Sequence, residues 1–253
     1  MSLVDVRGVV LGRKDVREDS RLYTIFTQER GKVEFFGRGI RKGKAKLGGH
    51  LEPGAVVRCT VAPGKTGETI TAVERSHAPT SAQQSLAHVA SLTFLLGVTD
   101  AITKPEAPDA PLASFLEEAL SALESLPVTL ALHARFRMWV AWHIFSAVGV
   151  VPDTTHCSHC RKPLVGDARF SKHHGGWVGQ ECANLDPTAF PVPAQVRDFT
   201  HALTRESWAM IADQNITPVI ETDAARVTQA ELHHVAERAI PVERFVAFTR
   251  ALG

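Results

Sequence analysis

The spacing of apolar residues changes near residue 78, and this divides the 253-residue chain more sharply than anything else in it. Before that point, short alternating runs at 6–11, 22–27, 32–37, 55–62 and 69–74 are separated by polar or glycine-containing turns. Alternation of this kind belongs to strands that turn one face to a core and the other to water. Glu29-Arg30-Gly31 and Pro63-Gly64-Lys65-Thr66-Gly67 supply two of the turns. Five short strands predict a small barrel, and both oligonucleotide-binding and SH3-like barrels have this size.

Beyond residue 78 the period becomes helical. Thr80 or Ser81 is placed to cap a first helix, with Gln83 or Gln84 near its third position. Leu86, Val89, Ala90, Leu92, Phe94 and Leu95 then cover one face. A proline-rich connector at 104–111 ends that helix, and a second runs from about 112 to 126. The third, about 130–148, is the most apolar and is expected at the centre. Pro193 reads as the first residue of a helix reaching Ala212, and shorter helical stretches follow at about 229–238 and 242–251. The expected domains are a barrel at 1–78, a helical domain at 79–152, a cysteine-bearing insert at 153–188, and C-terminal helices at 189–253 packing on the helical domain.

Charge follows the same division. The net charge is +1, but residues 1–75 hold 15 Lys and Arg against 9 Asp and Glu, whereas residues 76–253 hold 13 against 18. A basic head suits a polyanion, though solvated protein faces can carry similar charge. Its densest run is Arg38, Arg41, Lys42, Lys44 and Lys46, five cations in nine residues with two glycines and no acid among them. Such a flexible loop can follow a phosphate backbone and release its counterions, or it can simply be solvated. Tyr23, Phe26, Phe35 and Phe36 are the barrel's candidates for base stacking. Phe35 and Phe36 are adjacent on a strand and must face opposite ways, so at least one belongs to the core. Pro63-Gly64-Lys65-Thr66 is not a phosphate loop, because Cys59 stands where the first glycine is required and no helix follows.

The start of the chain lacks an uninterrupted apolar segment behind basic residues, so no secretory signal is expected and the protein should remain cytoplasmic. The apolar stretch 130–151 is interrupted by His133, Arg135, Arg137 and His143, which argues for a core helix and against a membrane span. Four cysteines in such a chain do not suggest a disulfide framework. Cys157 and Cys160, two residues apart, can converge on one metal ion, and Cys182 offers a third thiolate. A second pair would need Gly179 or Leu185 to be cysteine, so the fourth ligand would be an imidazole from His156, His159, His173 or His174. His174, beside Gly175-Gly176 in an expected turn, is the first choice; the alternative is a knuckle that has lost its metal and persists by packing. Cys59 reads as a small buried apolar residue. There is no Gly-x-Ser-x-Gly elbow, His-Glu-x-x-His helix or aspartate-rich cluster, and no enzyme is expected.

Three stretches resemble, in order and spacing, the N-terminal barrel of the RecO family: Arg21-Leu22-Tyr23-Thr24-Ile25-Phe26-Thr27 with Glu29, Gly31 and Lys32; then Arg38-Gly39-Ile40-Arg41-Lys42; then Leu51 with Pro53-Gly54. The segment from Ala147 through Gly149, Pro152-Asp153, Cys157 and Cys160 resembles a helix end and first zinc knuckle of the same family. The resemblance covers essentially the whole chain. It implies an α+β protein with a five-stranded OB-type barrel, an α-helical body and a small zinc-ribbon-like insert.

By the same resemblance this would be a non-catalytic, nucleoid-associated recombination mediator. Such a protein binds single- and double-stranded DNA, anneals complementary strands, contacts the acidic tail of single-strand-binding protein, and with RecR helps load RecA. DNA would be met by Arg21, Lys32, Arg38, Arg41, Lys42, Lys44 and Lys46, and zinc by Cys157, Cys160, Cys182 and His174. The tail would dock on the third helix, where Phe136, Trp139, Val140 and Trp142 lie among Arg135 and Arg137 and either arginine supplies the cation. Three positions depart from the family pattern: Gly179 for its third cysteine, Ala45 for a serine in the basic loop, and Pro241-Val242-Glu243 for a Lys-Ser pair. The first bears on zinc. An RNA-binding barrel with a zinc ribbon, or a non-catalytic adaptor, would share the basic loop. They differ in dependence on 2′-hydroxyls and in salt-sensitive affinity for nucleic acid.

Overall fold

The computed structural model describes residues 3–17, 20–38, 48–64, 67–78, 80 and 85–235. The chain separates into two compact units, Met1–Val128 and Thr129–Ile240.

The first unit is built on a closed barrel of β1 (Val4–Arg17), β2 (Ser20–Thr27), β3 (Gly31–Gly37), β4 (Val56–Ala62) and β5 (Thr69–His77), ordered β1-β2-β3-β5-β4. This is the OB-type architecture, with β4 returning antiparallel to β1 and β3 meeting β5 in parallel at Phe36 and Thr69. β1 runs well past the expected 6–11 because Arg13, Lys14 and Asp15 extend it along β2. Register shifts between Val10 and Gly12 and between Asp15 and Arg17 bend it, which lets one strand serve both neighbours. Val6, Val10, Tyr23, Ile25, Phe35, Val57, Cys59 and Val61 fill the interior, so Cys59 is a core residue.

Gly31 opens β3 with φ +66, and a Cβ there would lie 2.0 Å from the Ala107 carbonyl oxygen. The proline-rich connector is thus pressed against β3, and Glu106 N–H donates to the Lys32 carbonyl at 2.9 Å. α1 (Leu86–Ile102) is capped by Ser85, not by Thr80 or Ser81; the Ser85 hydroxyl accepts from His88 N–H. α2 (Ala110–Glu124) begins at Asp109, whose carboxylate accepts from Leu112 N–H at 2.8 Å. Both helices pack against β1.

The second unit centres on α3 (Leu130–Ala147), whose Phe136, Trp139, Val140 and Trp142 are fully buried. A three-stranded sheet, ordered β7-β6-β8, is formed by β6 (Ala168–Ser171), β7 (Gly176–Val178) and β8 (Phe190–Val192). The single helix expected from Pro193 to Ala212 is two, α4 (Ala194–Ala202) and α5 (Trp208–Asp213). Between them the Glu206 carbonyl accepts from Trp139 Nε1 at 2.9 Å, a tertiary bond in place of a helical one. Pro193 is an extended cap and not the first helical residue. α6 (Pro218–Val235) starts eleven residues before the expected 229, with Pro218 in the first turn. The expected stretch at 242–251 lies outside the described residues. Among the described residues no helix is long and apolar enough to cross a membrane.

Arg135 ties α3, α5 and α6 together. It is 8 % exposed. Its Nε donates to Glu221 Oε1 at 2.7 Å, Nη2 donates to the same oxygen, and Nη1 donates to the carbonyls of Ile211, Ala212 and Gln214 at 2.9–3.2 Å. Those carbonyls lie at the end of α5, where backbone acceptors lack helical partners and a cation is favoured. Arg135→Ala should therefore lower stability by about 3–5 kcal/mol, the range for breaking a buried ion pair from one side. Urea unfolding monitored by tryptophan fluorescence measures this, and an unchanged midpoint would remove Arg135 from the framework.

Candidate nucleic-acid interface and metal centre

Alternation on β2 and β3 sends Tyr23, Ile25 and Phe35 into the barrel, where they are fully buried, and turns Leu22, Thr24 and Phe36 outward. The register sets Lys14 opposite Leu22 and Leu22 opposite Phe36. Directly opposed residues share a face, so these three form a row across the outer surface of three strands. Lys14 is exposed and makes no ion pair among the described residues, while Leu22 and Phe36 are half-buried. Farther along the same face, Phe26 and its partner Lys32 are covered. The Lys32 ammonium donates to the Asp100 carbonyl at 2.5 Å and sits 3.4 Å from the Asp100 carboxylate.

The cations expected to meet DNA are therefore placed differently from one another. Lys32, 9 % exposed, is committed to Asp100 of α1 and is not placed on the outer face as a DNA contact requires. Arg21 donates through Nε to Asp15 at 2.7 Å and keeps part of its side chain in solvent. Arg38 is exposed at the end of β3, its guanidinium beside Gly64 of the β4–β5 turn. Arg41, Lys42, Lys44 and Lys46 lie outside the described residues. Arg13 and Arg30 are paired with Glu52 and Glu68 at 2.6 and 2.7 Å. The alignment of Lys14 with Leu22 and Phe36 is not legible in sequence, because its signal is register, and register is set by pairing across strands.

In the second unit the sulfurs of Cys157, Cys160 and Cys182 lie within 4.8 Å of one another and could hold a metal ion. The knuckle is closed by Cys157 N–H donating to Lys162 O at 2.8 Å and Arg161 N–H to Cys157 O at 2.9 Å, with Arg161 in the left-handed region at φ 61. Ser158 fixes it to β7, its N–H and hydroxyl both donating to the Trp177 carbonyl. Cys182 enters from the short turn Gln180–Leu185 that follows β7.

Burial opposes ionisation of Cys157, but backbone N–H groups of Cys160, Gly179 and His159 donate to its sulfur and bring the thiol down to about 7. The neighbouring Cys160 sulfur, with burial and Cys157, pushes Cys182 up to about 11. The crowded sulfurs thus hold Cys182 back from ionising, an opposition that a shared cation would relieve. Gly179 stands at the same place: a Cβ there would be 3.9 Å from Cys157 Cβ and 3.5 Å from Leu164 Cδ2, ordinary contacts. The position has room for a ligand side chain.

The metal group contains no imidazole, so the structure does not bring His174 to the sulfurs. Its N–H donates to Ser171 Oγ, and its ring packs on His159 and His173 at 5.4 and 5.1 Å. The adjoining Gly175, at φ +58, lies against the His234 ring of α6, which holds the hairpin tip. On α3 the expected aromatic slot is core: Trp139 packs on Phe136 and Trp208 inside the unit. Arg135 is consumed by its clamp, which corrects its assignment to a partner, and Arg137 is half-buried.

Two family models match this chain: the recombination protein O N-terminal model over residues 1–78 and the C-terminal model over residues 83–243. Relatives include DNA repair protein RecO of Synechococcus sp. (strain JA-3-3Ab), 28% identical over 247 residues, covering 93% of this chain and 81% of the relative. DNA repair protein RecO of Anaeromyxobacter sp. (strain K) is 28% identical over 251 residues, covering 97% and 96%. That of Rubrobacter xylanophilus is 30% identical over 196 residues, covering 76% and 77%.

The four thiols should be separable by reagent in metal-free protein. Cys160 is exposed, whereas Cys59 is fully buried and its thiol is pushed up to about 12 by burial. Aromatic disulfide labelling followed by peptide mass mapping should mark Cys160 first and Cys59 only as the protein unfolds. Early labelling of Cys59 would mean that the barrel opens locally.

Proposed function

The chain belongs to the RecO family, and on that premise we propose that it is a DNA repair and recombination mediator that binds single- and double-stranded DNA on the outer face of its barrel. The observation carrying this reading is the Lys14, Leu22 and Phe36 row beside Arg38, on a closed barrel of OB order. Lys14, Arg38 and the basic residues Arg41, Lys42, Lys44 and Lys46 would take phosphates, and the Phe36 ring would take a base. Contacts of that kind read charge and π-face rather than sequence. A strand held by its phosphates keeps most base edges free to pair, which supports a role in annealing.

Assistance to RecA loading together with RecR, and a place with the nucleoid in the cytoplasm, follow from the same premise. The acidic tail of single-strand-binding protein would meet α3, where Arg137 is half-buried and Arg135 is engaged within the fold. Cys157, Cys160 and Cys182 fit zinc, with a non-protein fourth ligand in the place Gly179 leaves. Bound zinc would cross-link the knuckle to the turn after β7 and supply structure, with no chemical step.

Two measurements test the reading. Affinity for single-stranded DNA should fall steeply with salt, and Lys14→Ala with Arg38→Ala should flatten the slope by up to about 0.7 per lost phosphate contact. Phe36→Ala should weaken binding by about 1–3 kcal/mol, the usual range for one stacked base. An unaltered slope and affinity in both variants would move the site off this face, and a preference for RNA would replace the DNA reading. Metal analysis should find about one zinc per chain. Cys182→Ser should lower zinc retention, His174→Ala should not, and Gly179→Cys should strengthen it by supplying a fourth thiolate. Metal near zero in protein prepared without chelator would overturn the zinc assignment.

A further inference from the structure

A cavity of about 550 Å³ lies inside the second unit, between the loop after α3, the cysteine knuckle, the β6–β7 hairpin and the end of α6. Its lining includes Val150, Pro152, Asp153, Arg161, His234 and Glu231. Glu231 is the unusual member. It is 1 % exposed, and its buried Oε2 has no hydrogen-bond partner. The other buried carboxylate described in this unit, Asp186, receives Ser171 and Thr188, and the half-buried Glu221 receives Arg135. Burial alone pushes Glu231 up to about 7, and no described residue compensates its charge. A buried carboxylate left unpaired in a cavity wall, when the other buried carboxylate of the unit is paired, marks the place of a donor from outside.

The walls narrow the class of guest. Val150, Val151, Pro152 and Val235 are apolar and suit an aliphatic stem, while Glu231 suits an N–H-bearing cation at its head. Asp153 adds a second carboxylate, held well below the ordinary range at about 2 by hydrogen bonds from Thr155 and His156. Arg161 also lines the cavity but forms no ion pair with Glu231. A metal ion is disfavoured, because among the described residues Glu231, His174 and His234 do not gather as ligands. We infer that this cavity is a receptor for a lysine or arginine side chain of a partner protein, with the cationic head on Glu231 and the stem between the loop 149–152 and Val235. The site is separate from the barrel face and does not depend on how DNA is bound.

The test uses the full-length protein and amide chemical shifts in a titration. The probes are N-acetyl-arginine amide, N-acetyl-lysine amide, the uncharged N-acetyl-norleucine amide, and inorganic phosphate. The cationic probes should shift resonances of the cavity lining saturably, with norleucine amide at least tenfold weaker. Glu231→Gln should weaken the cationic probes at least tenfold. Val150→Arg, at a partly exposed wall position, should block them by supplying its own guanidinium while leaving Glu231 in place. Binding unchanged in both variants, equal binding of the norleucine probe, or saturation by phosphate alone would overturn the assignment.

Discussion

Closure of the barrel through β1 is the constraint on which the candidate interface depends. One strand pairs with β2 along one edge and β4 along the other, and its two register shifts supply the bend that this requires. Closure leaves no free edge in the described barrel and separates an apolar interior from an outer face. The same register aligns Lys14, Leu22 and Phe36. A slip of one residue would send Phe36 inward and Phe35 outward, losing core and interface together. The fold and the proposed interface therefore rest on one set of hydrogen bonds.

Buried charge is handled in two ways in the second unit. Arg135 and Glu221 meet, and the spare donors of the guanidinium satisfy carbonyls at the end of α5. A pair with complete partners can be held inside a protein because desolvation is offset by contacts made within the fold. Glu231, more deeply buried than Glu221, has no such partner among the described residues. The contrast between two carboxylates on one helix separates a residue that holds the framework from one whose partner is missing.

The cysteine knuckle illustrates how position and ligand identity are distinct. Backbone hydrogen bonds of the Cys157 turn and the anchoring of Ser158 to Trp177 set where the sulfurs point. Gly179 stands beside them with ordinary backbone geometry and space for a side chain, so the turn can be built without a ligand at that position.

The five strands, the three long helices before the knuckle and the convergence of the cysteines were legible in sequence. Each is written in spacing: alternate residues for strands, one face in three to four for helices, two intervening residues for a metal turn. The break between α4 and α5 was not legible, because it depends on Trp139 bonding Glu206 from another helix. Nor was the fate of individual cations. The resemblance implied contacts to DNA for Lys32 and to a partner's tail for Arg135, yet Asp100 and Glu221 draw them inside across 68 and 86 residues of chain. His174 lies near the cysteines in sequence, but it is not among the groups that converge with the sulfurs, and its ring packs on His159 and His173. Sequence by itself determined the elements and the chemical groups they carry, because local spacing dictates which way side chains point. Tertiary structure alone decided which groups remain available to a ligand, because that is settled by partners far apart in the chain.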